Sequence, residues 1–152
     1  AEIADIREEL IQTGYIKQKY RNKKQKMLPP EKYQAEDGTI ILVGKNNLQN
    51  EQVSFKLSRR GDLWFHVKDI PGSHVLITGN TNPSDETITF AGELAAYFSK
   101  ARYSNLVQVD VLDVKKLHKP TGTAPGFVTY DREKTIRVTP DESVIKSRKI
   151  GK

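Results

Sequence analysis

Eight consecutive residues, DLWFHVKD at 62–69, carry an acid, an indole, an imidazole and an ammonium at alternate positions. An extended strand sends successive side chains to opposite faces, so Asp62, Trp64, His66 and Lys68 share one face and Leu63, Phe65 and Val67 the other. The apolar face is a core stripe. The polar face can be drawn with Asp69 as an acid/base set, and Ser73 and His74 follow one turn later. Its specificity is low, because the chain has no nucleophile elbow, phosphate-binding loop or His-Glu-x-x-His helix. Two imidazoles paired across a hairpin also fall short of the three or four ligands of a zinc site. The expectation is a binder with no catalytic residue, no metal and no cofactor.

Binding asks less of the same residues. Trp64 flanked by His66 and Lys68 suits a base stacked on a ring and a phosphate met by an ammonium. The alternative is that Trp64 is core, with Asp62 and Lys68 at its rim. Asn46-Asn47 and Gly72-Ser73-His74 add amide, hydroxyl and backbone donors in loops.

Charge narrows the partner. The chain has 152 residues, 25 Lys+Arg, 19 Asp+Glu, three His and no Cys, a formal charge of +6. No cysteine excludes disulfide frameworks and thiol catalysis and fits a reducing compartment. Three acid-free segments hold 13 of the 25 basic residues. The first supplies Lys17, Lys19, Arg21, Lys23, Lys24 and Lys26, the second Lys115, Lys116 and Lys119, and the third is KSRKIGK at 146–152. The remaining 130 residues carry a net −7. An acidic body with concentrated basic stretches points to a polyanion, because clustered Lys/Arg neutralise phosphates and release counterions. No basic run has the apolar face of a membrane-surface helix, and the longest aliphatic run, Ile40 to Val43, is far too short to span a bilayer.

The positioning elements read as α+β: a mixed, largely antiparallel sheet with one central amphipathic helix, preceded by a helical arm. Ile3, Ile6 and Leu10 predict a helix over 3–12. TIILV (39–43) predicts a strand. Residues 51–58 fit either a strand or a short helix capped by Asn50 that buries Val53 and Leu57. The strand at 62–69 and His74 to Thr78 form a hairpin turned by Ile70-Pro71-Gly72-Ser73. Phe90, Leu94, Tyr97, Phe98 and Ala101 predict a helix over about 85–102, with Lys100 and Arg102 in its last turn. A strand spans 106–114, and FVTY (127–130) with TIRV (135–138) makes a second hairpin. The division is 1–28 arm and basic connector, 29–141 domain, 142–152 basic C-terminal tail.

Four blocks carry a resemblance. ILVGKNNLQNEQVSFKLS (41–58), DLWFHVKDIPGSHVLI (62–77), ELAAYFSKAR (93–102) and VDVLDVKKLHKPTGTAPGFVTY (109–130) resemble successive parts of the NFACT-R domain. This is the C-terminal RNA-binding module of the RqcH / fibronectin-binding-protein-A-like family, called NEMF in animals. The Trp-Phe-His-x-Lys-Asp-x-Pro-Gly-Ser-His block is the most specific part. The departures are small: Ser58 stands where the family often has Ala, and the loop at 121–124 varies.

The resemblance implies a cytoplasmic ribosome-associated quality control factor. Such a factor binds large ribosomal subunits blocked by peptidyl-tRNA, contacts rRNA and tRNA, and supports alanine tailing of the stalled chain. The module itself would be a monomeric binder, since the peptide-bond chemistry belongs to the ribosome. It also implies a short helix after Asn50, a coiled-coil arm ending near residue 16, and further domains missing before it. Some relatives are described as surface adhesins, which makes fibronectin the alternative partner. The expected RNA-contacting residues are Asn46, Asn47, Asp62, Trp64, His66, Lys68, Asp69, Gly72, Ser73, His74, Lys100, Arg102, Lys115, Lys116 and Lys119, with the run at 17–26 on phosphates.

Overall fold

The structure, a computed structural model, describes residues 28–151. The expected helix at 3–12 and the basic run at 17–26 lie outside the described residues. Seven strands form one sheet: β1 (Glu31–Gln34), β2 (Ile40–Val43), β3 (Leu63–Val67), β4 (Val75–Thr78), β5 (Val107–Asp113), β6 (Lys134–Val138) and β7 (Lys149–Ile150). Their order is β6-β5-β3-β4-β2-β1-β7, and every pairing is antiparallel. With its helices this is the expected α+β class.

The alternation of β3 builds two cores. Phe65 and Val67 join Ile41, Val75, Ile77 and Val109 beneath α2 (Asp85–Tyr97), which buries Ala91, Leu94 and Ala95 against them. Ser84 caps α2 by accepting from the Thr87 amide, and Asp85 and Glu86 in its first turn suit the helix dipole. On the opposite sheet face Trp64 packs with Leu42, Leu76 and Leu112, under Val53, Val114 and Leu117. The sheet is therefore covered on both sides, by α2 on one and by irregular segments on the other.

The structure corrects several expectations. Helix α1 (Asn47–Glu51) starts earlier than predicted: Asn46, not Asn50, caps it, accepting from Gln49 N at 2.9 Å. A π-helical turn, Gln52–Lys56, follows, with Leu57 N bonded to Gln52 O. That wider turn breaks the i, i+4 register, so Val53 is buried while Leu57 is 44% exposed. α2 ends at Tyr97, placing Lys100 and Arg102 beyond the helix, where Arg102 Nε donates to the Tyr97 carbonyl at 2.8 Å.

FVTY does not pair with TIRV. β6 pairs with β5, whereas Thr129 bridges back to His118. The alternation was genuine, since Val128 and Tyr130 turn toward the Trp64 core, but its partner lies upstream. Nor is 142–152 a tail. Asp141 caps α3 (Glu142–Ser147), Ile145 is buried in the larger core, and β7 pairs with β1.

Candidate nucleic-acid interface

The polar row of β3 is mostly occupied by the fold. Trp64 is fully buried, and its indole nitrogen donates to Ser54 Oγ at 2.8 Å. The same hydroxyl lies 2.7 Å from His74 Nδ1. Trp64 thus offers no open face, and the stacking platform expected there is replaced by a packed cluster. Its neighbours in that cluster are His66, stacked at 5.8 Å, and His74 and Tyr130, edge-on at 5.0 and 5.2 Å. Buried Asp62 accepts from the amides of Arg59 (2.9 Å) and Gly79 (3.3 Å), closing two loops.

The cations expected on phosphate are partly engaged elsewhere. Lys68 Nζ lies 2.8 Å from Asp110 and 3.3 Å from Glu133, and its hydrogen bond to Asp110 raises its pKa above the ordinary lysine value. Lys119 Nζ reaches the carbonyls of Ala124 and Phe127 and the Glu51 carboxylate. Lys115 and Lys116 are exposed on the short 3-10 turn that Asp113 caps. Burial pushes His74 down to about 3, helped by neighbouring His66. Burial also lowers His66, offset in part by the backbone of Val67 and Gly72 and by Asp110. Both rings are neutral at pH 7. Among the described residues no group of three His, Cys, Asp or Glu side chains could hold a metal ion.

The loops are a different matter. Asn46, Asn47, Gly72, Ser73, Lys100 and Arg102 all line one groove of about 400 Å³, joined there by Lys45 and Ser99. Backbone contacts weld its walls: Gly44 N donates to His74 O (2.9 Å), and Ser73 N to Phe98 O (3.2 Å). Gly72 forms a bridge with Ser99, so closely that a Cβ on Gly72 would sit 3.1 Å from the Ser99 Cβ. The Lys45 ammonium lies 4.4 Å above the Phe98 ring, and the Arg102 guanidinium 4.0 Å from the Tyr97 ring. Lys100 is exposed at the edge. Lys45, which also lies 3.6 Å from the Glu31 carboxylate, thus gathers with Lys100 and Arg102 beside amide, hydroxyl and backbone groups, a set whose chemistry suits an anion.

Beyond Pro71 the surface dips again into a cavity of about 510 Å³, lined by His66, Asp69, His74, Phe127 and Tyr130 among others. Tyr130 OH donates to Asp110 at 2.7 Å, fixing that wall. Lys45, Ser54, Asp110, Phe127 and Tyr130 were not singled out from sequence. Lys45 had a signal, its adjacency to Asn46-Asn47. Asp110 had one too, as an acid that alternates with the valines of β5 and shares its face with Leu112.

The family described as "NFACT protein RNA binding domain" matches residues 31–129. "Rqc2 homolog RqcH" of Streptococcus suis is 67% identical over 151 residues, covering 99% of this chain and 27% of that protein. Its Bacillus subtilis counterpart is 48% identical over 153 residues, again 27% of its length. "Ribosome quality control complex subunit 2" of Schizosaccharomyces pombe is 36% identical over 96 residues. The chain therefore spans about a quarter of the length of its bacterial relatives. A solved structure, the C-terminal part of the fibronectin/fibrinogen-binding protein of Streptococcus suis, superposes with a TM-score of 0.84 at 67% identity, covering 98% of this chain and 61% of that one. The chain belongs to the family of NFACT protein RNA binding domains.

Proposed function

We propose that this chain is the RNA-binding module of a cytoplasmic ribosome-associated quality control factor. The parent protein would engage large ribosomal subunits obstructed by peptidyl-tRNA and support alanine tailing of the stalled chain. The observation that carries the reading is the groove in which Lys45, Lys100 and Arg102 converge with Asn46, Asn47, Gly72 and Ser73. Such a groove recognises phosphate and sugar, and the basic run at 17–26 adds sequence-independent attraction. The module contributes binding; the peptide-bond chemistry stays with the ribosome.

The test is filter binding of the 152-residue chain to tRNA and to large-subunit rRNA fragments across a salt series. Affinity should fall steeply with salt, and Lys45→Ala and Lys100→Ala should each flatten the slope by about 0.7–0.9. Absence of binding at low salt, or binding indifferent to salt, would overturn it.

A second reading is favoured by the name of the solved relative, a fibronectin/fibrinogen-binding protein. It requires saturable binding to immobilised fibronectin that survives nuclease treatment and physiological salt. Binding lost under either condition is charge attraction of a basic chain and not adhesion.

A further inference from the structure

We propose that the cavity behind Pro71 receives a single unstacked nucleobase from a strand whose backbone follows the adjacent cationic groove. The inference rests on the RNA-binding reading and adds which form of RNA the site selects: single strands, loops or bulges, not uninterrupted duplex.

Contiguity is the first ground. Pro71 borders both concavities, and the same loop sends Gly72 and Ser73 into the cationic groove while His74 lines the cavity. A ligand with an anionic backbone and a flat pendant ring fits this pair of neighbours. The second ground is Phe127, which is 51% exposed at the cavity although a ring of that size is ordinarily buried. Its exposure is held in place. Gly126 adopts φ +85°, its amide donates to Glu51 at 2.7 Å, and a Cβ there would lie 3.0 Å from the Asn47 carbonyl. Lys119 Nζ then bonds the Phe127 carbonyl at 3.2 Å. A pinned, solvent-facing aromatic beside a cavity is a stacking surface.

The third ground is the rest of the lining. Tyr130 has its hydroxyl bound by Asp110, so it presents a ring and no free donor. His66 and the exposed Asp69 carboxylate provide hydrogen-bonding groups for a base edge. A duplex keeps its bases stacked and cannot enter. Trp64, the residue whose composition first suggested stacking, instead braces the cavity from within the core.

The experiment compares a single-stranded oligoribonucleotide carrying one 2-aminopurine with the same strand annealed to its complement. Both are titrated with the 152-residue chain at matched salt. The single strand should bind about tenfold tighter and show quenched 2-aminopurine emission. Phe127→Ala should lower single-strand affinity about tenfold and remove the quench, leaving the salt slope unchanged; Phe127→Tyr should restore both. Lys100→Ala should flatten the slope for both ligands and keep the quench. Equal affinity for single strand and duplex, with Phe127→Ala silent, would overturn the base cavity while leaving the RNA reading intact. No binding of either ligand at low salt would overturn both.

Discussion

The indole nitrogen of Trp64 donates a 2.8 Å hydrogen bond to the hydroxyl of Ser54, a residue of the π-helical turn. This bond ties the irregular cover of the second core to the strand beneath it. Ser54→Ala would leave a buried N–H without a partner and cut the link to His74. We expect a loss of about 1–3 kcal/mol, read from the urea midpoint. Trp64 is the single tryptophan, so its emission follows unfolding directly. In the native state acrylamide should quench it poorly. An unchanged midpoint together with free quenching would contradict the buried arrangement.

What could be read from sequence stops where distant segments begin to matter. The alternation in 62–69 identifies both faces of β3, and the period of 90–101 identifies the helix over one of them. Nothing local reports that residues 52–56 and 114–130 fold over the other face and bury Trp64. The ion pair of Lys68 with Asp110 joins residues far apart in the chain. The groove is similar: Asn46-Asn47, Gly72-Ser73 and Lys100 are recognisable as polar loops, but their convergence depends on sheet order. β1 (EKYQ) was missed because Tyr33 is its only fully buried side chain. The last segment looked like a tail because its lysines mask Ile145, the residue that anchors it.

Stability should fall on mild acidification. His74 is held at about 3 by burial, against an ordinary value near 6.5, and burial lowers His66 as well. Below pH 6.5 the unfolded chain therefore binds protons that the native chain refuses. The stabilisation is complete above pH 6.5 and is lost progressively as pH falls toward 3. His74 contributes a slope approaching about 1.4 kcal/mol per pH unit, and His66 adds to it in the same direction. Burial raises the Glu93 carboxyl, which opposes this trend as pH falls, so the effect is read as the difference in urea midpoints between the parent chain and His74→Gln from pH 6.5 to 5. His74→Gln should remove most of the slope, and an equally steep dependence in that variant would refute the assignment.

Lys68 should behave as a structural cation. Asp110 is buried and bonded to Tyr130, Thr135 and Lys68. Lys68→Ala strands its charge, so the melting temperature should fall, moderately because the two hydroxyl bonds survive and solvent reaches the Lys68 side of the pair. Thermal unfolding measures this loss. The salt slope of RNA binding should be unchanged under conditions where the variant is folded. A flatter slope would instead place Lys68 on a phosphate.

Gly44 links the fold to the groove. A Cβ at this position would lie 2.8 Å from the Asn50 backbone nitrogen and closer still to its side-chain oxygen. Asn50 Oδ1 accepts from the His74 amide at 3.0 Å, and Gly44 N donates to the His74 carbonyl. A methyl group must therefore push α1 away from the β3–β4 loop. Overpacking of this kind costs about 1–3 kcal/mol. Asn46 and Asn47 lie on one wall of the groove and Gly72 and Ser73 on the other, so the same displacement widens it. Gly44→Ala should weaken RNA binding severalfold while preserving the salt slope, because every cation remains. Filter binding at two salt concentrations, below the variant's unfolding midpoint, separates the outcomes. Full affinity in a destabilised variant would show that RNA does not require the two walls to be held together.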